Sequence, residues 1–529
     1  MRFSHLCMLV ALCLSSVYQR PSVCAETLRD RIDAAVAARA GGPVAGAASD
    51  HEWIRRVTLD LAGIIPTTEE VRSFVEDKDI AKREKLVDRL LAAPTFGRRM
   101  QEAVSAMLLE RRTGSSVTDA EWNQFLRDSF NANKPWDALV RELLFADDDE
   151  KLKAARKFFT VTGRDKNAHQ MTQDVARLLL GRNIMCAQCH DHPNVDDYTQ
   201  ADYFGLFSYL QEKPEQAKNE FESVFVAGKK TTFPRLPGGN AVEIPTFSKE
   251  QVAEAKAFRP RLLLARDLPT AENELFKLNS ANRFWFLMFG RGIVHPLELH
   301  HQENPASHPE LLKQLADDFA THKFDVKYLL REIALSATYQ RSSHLPDGVA
   351  AVDFAPTTYR IFTPKPLAPE QLAWSMLRAT GNLAAFEKVE LPKKSDFGWY
   401  NYINGRIASP PGNVPDTLDL FMGVFGNPPG EPEVDFTPSM GQALFVLNER
   451  LVLQWLEPRD GNLVHRVKSL ADRQEAVRHI YMTVLSRPPA DSESAIALEF
   501  LTAMGHPTDQ TWADLAWALL ASDEFRMNQ

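Results

Sequence analysis

The sequence predicts a mainly α-helical fold built as two helical bodies with a mixed segment between them. Three observations predict it. Apolar residues recur at helical spacing through residues 50–212 and again through 276–529. Helix start and stop signals punctuate both stretches. Strand-like composition is confined to the connecting segment, 213–275.

In residues 1–25, Arg2 precedes the apolar run from Leu6 to Val17, and a small-residue site follows at Val23-Cys24-Ala25. That run is too short to span a bilayer, so it reads as a cleaved secretory signal with Glu26 as the first mature residue. Residues 26–49 carry Gly41-Gly42-Pro43 and Gly46 and few large apolar side chains, which predicts a flexible tether. The first body, 50–212, opens with Trp53, Ile54, Val57, Leu59 and Leu61 on one helical face that stops at Gly63 and Pro66. Thr67-Thr68-Glu69-Glu70 offers a capping box for the next helix. Further helices are expected over 82–92, 119–132, 135–146 and 168–189, the last carrying its pattern through to Cys189.

In the connecting segment, Gly228-Lys229-Lys230 followed by Thr231-Thr232-Phe233 predicts a short hairpin. The second body begins with helices over 276–289, 309–322 and 327–338 and is then interrupted by Pro- and Gly-rich loops through 345–437. A helix over 369–381 is expected inside the interruption, with ordered loops over 395–412 and 425–438. Loops of that length usually carry function or face a partner. Thr437 as N-cap and Pro438 at the first position start a helix reaching Leu456, followed by helices over 473–485, 491–504 and 511–522.

The 529 residues are 44% hydrophobic and 25% charged, the profile of an ordinary globular protein. Sixty-one basic side chains against 70 acidic ones give a net charge of −9, which argues against a nonspecific nucleic-acid binder. A protein partner or a small ligand suits that balance better. Beyond the leader no apolar stretch is long enough for a transmembrane helix.

Three of the five cysteines, Cys7, Cys13 and Cys24, lie in the leader. The other two form Cys186-Ala187-Gln188-Cys189-His190, the c-type haem attachment pattern. On one helix, positions i, i+3 and i+4 share a face, so two thiols reach the haem vinyl groups while the His190 imidazole reaches the iron. Two other chemistries use the same residues. One is a Cys186–Cys189 disulfide, natural in an oxidising compartment. The other is zinc on Cys186, Cys189, His190 and His192, although four ligands within seven residues make poor tetrahedral geometry. His169, Met171, Met185 and His192 are the nearby candidates for a sixth haem ligand, with His192 favoured and an open iron equally compatible.

A second cluster spans 295–308, with His295, His300, His301 and His308 beside Glu298 and Glu303. Imidazoles and carboxylates together suit zinc, iron or manganese, and hence a metallohydrolase. The competing reading is a polar loop before a helix that Ser307 caps and Pro309 opens. No nucleophile elbow, Walker loop or dinucleotide fingerprint is present.

With these segments in place the sequence resembles a planctomycete-type exported family that joins a cytochrome-like domain of unknown function to a C-terminal domain of unknown function. The resemblance is carried by Arg55 to Gly63 (RRVTLDLAG), Leu86 to Leu91, and Cys186 to Pro193 (CAQCHDHP). In the second domain it is carried by Asn282 to Trp285, Phe289 to Val294 (FGRGIV), Leu335 to Ser343, Ala443 to Asn448 and Leu485 to Pro489. It implies export, an α-rich fold and Cys186, Cys189 and His190 as haem positions. Two departures stand out. The sequence shows no separate leading cytochrome c domain, and a His-rich stretch from His295 to His301 replaces the acidic positions expected after FGRGIV. The expectation is an exported, periplasmic or cell-surface protein with one covalent haem c, serving electron transfer or a redox complex. The competing expectations are a non-redox envelope binding or assembly protein, and a metallohydrolase at 295–308.

Overall fold

Capping chemistry sets the helix boundaries. The computed structural model describes residues 26–146, 149–161, 167–210, 225–227, 230–232, 234–242, 259–346, 348–350, 354–388, 414–432, 439–448, 450–503 and 505–529. The leader, 1–25, and the expected loop over 395–412 lie outside them, as do Thr437 and Pro438. Counting α-helices of six residues or more, the first region runs α1 (Leu28–Arg39), α2 (Asp50–Ala62), α3 (Thr68–Glu76), α4 (Lys82–Ala92), α5 (Pro94–Leu109), α6 (Asp119–Asn131), α7 (Trp136–Leu144), α8 (Ala168–Leu180) and α9 (Gln200–Leu210). After the hairpin of β1 (Phe225–Ala227) and β2 (Lys230–Thr232) come α10 (Pro260–Asp267), α11 (Glu274–Phe289), α12 (Pro309–Thr321) and α13 (Val326–Leu335). Then follow β3 (Lys365–Pro366), α14 (Pro369–Thr380), α15 (Val414–Phe425), α16 (Met440–Asn448), α17 (Arg450–Leu456), α18 (Leu463–Lys468), α19 (Arg473–Val484), α20 (Asp491–Ala503), α21 (Asp509–Leu520) and β4 (Met527–Asn528).

The capping box at α3 forms as predicted. Glu70 N donates to Thr67 Oγ1 at 3.2 Å and Thr67 N donates to Glu70 Oε2 at 2.9 Å. The hairpin is also present, with Phe225 opposite Thr232 and Ala227 opposite Lys230.

Several expectations are corrected. Residues 28–39 of the expected tether form α1, capped by Thr27 and Asp30, with Leu28, Ile32 and Val36 buried. It docks on α12 and α13, where the Asp33 carboxylate accepts from Ala337 N at 2.8 Å and Thr338 N at 2.7 Å. Its apolar stripe is only one residue wide, which is why composition alone reads it as a linker. The long helix α5 begins immediately after α4 because Pro94 sits at its first position, where no amide donor is needed. Gly97 lets α5 approach α6 closely, since a Cβ there would lie 2.3 Å from Asn131 Oδ1. The helix expected over 168–189 stops at Leu180, and the one expected over 327–338 stops at Leu335. The interruption over 345–437 contains α15 as well as the predicted α14. Ser307 does not cap α12: its hydroxyl donates to the Ile293 carbonyl at 3.1 Å, and His308 occupies the N-cap without a side-chain bond to the helix amides.

The two helical regions share one core rather than forming separate ones. Trp53, Trp122, Trp285 and Trp455 are each at most 1% exposed and belong to one contiguous apolar cluster. Polar anchors on two successive turns of α2 fasten the regions together. Arg56, fully buried, donates to the carbonyls of Tyr339 at 2.6 Å, Arg341 at 2.7 Å and Gln529 at 2.7 Å, and to Glu52 Oε1 at 2.7 Å. Its guanidinium also sits 3.8 Å from the centre of the Phe362 ring. Asp60 accepts from Tyr339 Oη at 2.6 Å, Asn528 Nδ2 at 2.9 Å and Lys365 Nζ at 2.8 Å. Arg55 donates to the carbonyls of Val484 and Phe525, each at 3.0 Å. Burial lowers Arg56 to about 10, which leaves it charged at neutral pH.

Replacing Arg56 removes the donor from three carbonyls and takes from Glu52 its cation, leaving that carboxylate with Ser343 N and Ser342 Oγ. Arg56→Ala is therefore expected to lower stability by about 3–5 kcal/mol in urea unfolding. The exposed Arg72→Ala, at 58% side-chain exposure, is expected to change it by no more than about 0.5 kcal/mol.

Candidate functional site

The Cys-x-x-Cys-His segment lies beyond a helix terminus rather than on a helix. α8 is capped by Asn167, whose Oδ1 accepts from Gln170 N at 3.1 Å, and it ends at Gly181 with φ 68°. Glycine is required there for a second reason: a Cβ would lie 2.7 Å from His300 Cδ2 and 2.8 Å from Asn279 Oδ1. Cys186 then enters a 3₁₀ turn, Met185–Gln188, in which Cys189 N donates to the Cys186 carbonyl at 3.2 Å. Side chains three apart eclipse in this geometry, so the two thiols share a side although the expected helix is absent.

Both thiols are exposed and free. His190 is also exposed, and its Nδ1 lies 2.7 Å from the Asp191 carbonyl. A carbonyl at that distance selects the Nδ1–H tautomer and leaves the Nε2 lone pair outward, the arrangement of a metal-ligating imidazole. His192 differs: its Nδ1 accepts from Asn194 N at 3.2 Å, which puts its proton on Nε2. Of the sixth-ligand candidates, His169 and Met185 line an open cleft of about 680 Å³ beside the turn, with Gln173 and Gln188. Met171 is 1% exposed in the core. His169 Nδ1 pairs with Tyr203 Oη at 2.8 Å and its ring stacks on Phe207 at 4.4 Å. Burial lowers its pKa.

The His-rich loop of the second region clasps the turn. Asn183 N donates to the Glu298 carbonyl at 2.9 Å, and His300 N donates to the Gly181 carbonyl at 2.9 Å. Tyr198 sits between the two loops, its ring 5.9 Å from that of His192 and 5.3 Å from that of His301. Beneath them Arg177 is bonded to Glu298 at 2.6 Å, Asp174 at 2.9 Å and Glu110 at 2.7 Å, while Arg112 joins Asp174 and Glu110, each at 3.1 Å. Burial acts to lower the Arg177 pKa, but the hydrogen bond to Glu110 and the charges of Glu298, Glu110 and Asp174 outweigh it and raise it. Sequence reasoning missed this network. Its one local signal is a charged pair three residues apart, Asp174 and Arg177, on the otherwise apolar last two turns of α8.

The four histidines of 295–308 do not converge. His300 is buried with Nε2 3.3 Å from Asn282 Nδ2, His295 stacks on Phe286 at 6.3 Å, and His308 packs on Tyr359 at 5.4 Å. Glu298 is occupied by Arg177. Among the described residues no group of three or more His, Cys, Asp or Glu side chains is placed to hold a metal ion, which includes the set Cys186, Cys189, His190 and His192.

Fold and seam together define a class: a mainly helical, two-region protein in which a Cys-x-x-Cys-His turn of the first region is held by a loop of the second. Residues 30–215 match the family model PSCyt2, described as a protein of unknown function (DUF1549), and residues 260–501 match PSD1, described as a protein of unknown function (DUF1553). The chain belongs to the proteins that pair these two domains in this order. No curated protein and no solved structure matches it.

The clasp carries a pH signature. Burial, reinforced by the charges of Arg283, Arg182 and His301, lowers His300 from 6.5 to about 3. Between those values the unfolded chain takes up a proton that the folded chain refuses. Stability therefore falls as pH drops from 6.5 towards 3, by up to about 1.4 kcal/mol per pH unit from this group. His300→Gln, which keeps an acceptor near Asn282, is expected to flatten that acid limb in urea titrations between about pH 6 and pH 4.

Proposed function

We propose that the protein is exported and carries one covalently attached c-type haem, which Cys186 and Cys189 would hold as thioethers and His190 would hold through the iron, serving electron transfer or a redox complex of the cell envelope. One observation carries the reading. Two free, exposed thiols on one side of a 3₁₀ turn are followed by an imidazole whose Nδ1 faces the Asp191 carbonyl at 2.7 Å, beside a cleft of about 680 Å³. The donor set fits the group on thiol number, spacing and tautomer. Bound there, the group supplies reversible one-electron chemistry.

The chain's own residues do the positioning. Gly181 and the Glu298 and Gly181 carbonyls fix where the turn leaves α8, and Arg177 ties that exit to the loop of the second region. His169 is the imidazole on the cleft wall and, ahead of His192, the side chain that would supply a second iron ligand. Exposure of Cys186, Cys189 and His190 leaves the site open to a protein redox partner. Export fits the leader pattern of residues 1–25, with Glu26 as the expected first mature residue.

Expression with the native leader in a host that matures c-type cytochromes tests the reading. A Soret band and haem stain that survives denaturing electrophoresis are expected, both abolished in the Cys186→Ser/Cys189→Ser double variant. His190→Ala is expected to keep the covalent stain while changing the reduced spectrum. An intact mass equal to the bare polypeptide, with no Soret band, contradicts it, and a two-hydrogen mass change on reduction would identify a disulfide instead.

A further inference from the structure

A cavity of about 230 Å³ lies among α5, α8, α11, β3 and α14, apart from the Cys186 turn. Its apolar wall is Ala103, Ala106, Met107, Leu178, Phe286 and Leu287. Charged side chains complete the lining, and their pairing is uneven. Glu370 is held by both terminal nitrogens of Arg111 at 2.6 and 3.1 Å. Glu110 and Glu298 are held by Arg177, and Lys365 Nζ by Asp60 at 2.8 Å.

Two guanidiniums on the same wall lack such a partner. Arg283 donates from Nε to Asn279 Oδ1 at 3.1 Å and from a terminal nitrogen to the Arg177 carbonyl at 2.9 Å. Arg99 donates from Nε to the Asp60 carbonyl at 3.4 Å. Among the described residues neither has a carboxylate within ion-pair distance, although Arg99 is 6% and Arg283 5% exposed. Glu102 completes the set. It is 7% exposed, its Oε1 accepts from Trp374 Nε1 at 2.8 Å, and its Oε2 has no partner. Burial raises it to about 7, against the charges of Arg98 and Arg99 and with that of Glu370, so near neutral pH it is available as a neutral donor.

Glu298 and Glu110 act on Arg283, and Glu102 on Arg99, only from beyond ion-pair distance. A buried cation with no direct ion-pair partner is costly, and a ligand carboxylate in contact with it recovers part of that cost on binding. We infer that this cavity binds a small organic carboxylate, its charge answering Arg99 and Arg283 and its apolar body lying against the Ala103 and Ala106 face of α5. Guanidinium groups match the planar, two-oxygen geometry of a carboxylate. The apolar wall selects against a bare inorganic anion, which has no body to bury there. Glu298 and Pro432 line both this cavity and the cleft beside the Cys186 turn, so the two sites adjoin, but the inference stands without the haem reading.

Calorimetric titration of the full chain with benzoate and with its neutral isostere benzamide tests it. Benzoate is expected to bind, with benzamide at least about tenfold weaker. Ala106→Leu, which fills the cavity without touching a charge, is expected to abolish benzoate binding while the protein still unfolds cooperatively. Arg99→Gln is expected to weaken benzoate at least about tenfold and leave benzamide unchanged. Equal affinity for the two compounds, no benzoate binding at millimolar concentration, or undiminished benzoate binding in Ala106→Leu overturns the inference.

Discussion

A buried positive charge on α2 holds the two halves of this molecule in one piece. Arg56 has no exposed side-chain surface, and its donors are spread over Tyr339, Arg341, Gln529 and Glu52. Three of those four acceptors belong to residues nearly 300 or more positions away, so the charge is satisfied only when the second region is folded around it. Asp60, one turn further along, repeats the logic with Tyr339, Asn528 and Lys365. A stranded buried charge is so unfavourable that partial docking of the regions has no comfortable intermediate.

The same constraint places the candidate site. Because the regions are locked together at α2, the 295–308 loop comes to rest on the exit of α8, where its backbone meets Gly181 and Asn183 and its Glu298 meets Arg177. The Cys186 turn projects beyond that seam with both thiols outward. The pairing of the two domains in one chain thus has a physical basis: the first contributes the thiols and imidazole, and the second holds the turn that presents them. The histidines that suggested a metal centre are largely spent on the holding, His300 as a buried neutral hydrogen-bonding group and His301 against Tyr198.

Local chemistry was legible in the sequence and long-range chemistry was not. The Thr67 and Glu70 box, the stop at Gly63 and the helix at 82–92 were readable because each is fixed within four or five residues. The end of α8 is hidden in the sequence because apolar spacing continues past Gly181, whereas the chain turns left-handed there and is taken up by the second region, His300 N bonding the Gly181 carbonyl and Asn183 N the Glu298 carbonyl. Helix α1 reads as a tether because its stability comes from docking on α12 and α13 rather than from its own pattern. At the site, Cys186, Cys189 and His190 declared themselves by spacing. Arg177 with Glu110 and Glu298, and the cavity around Glu102, depend on side chains brought together from distant segments and left almost no local trace.

The two family domains form one cooperative unit with one core. Differential scanning calorimetry of the full chain is expected to show a single transition whose van't Hoff and calorimetric enthalpies agree. Two resolved transitions, one for each region, would contradict that unity.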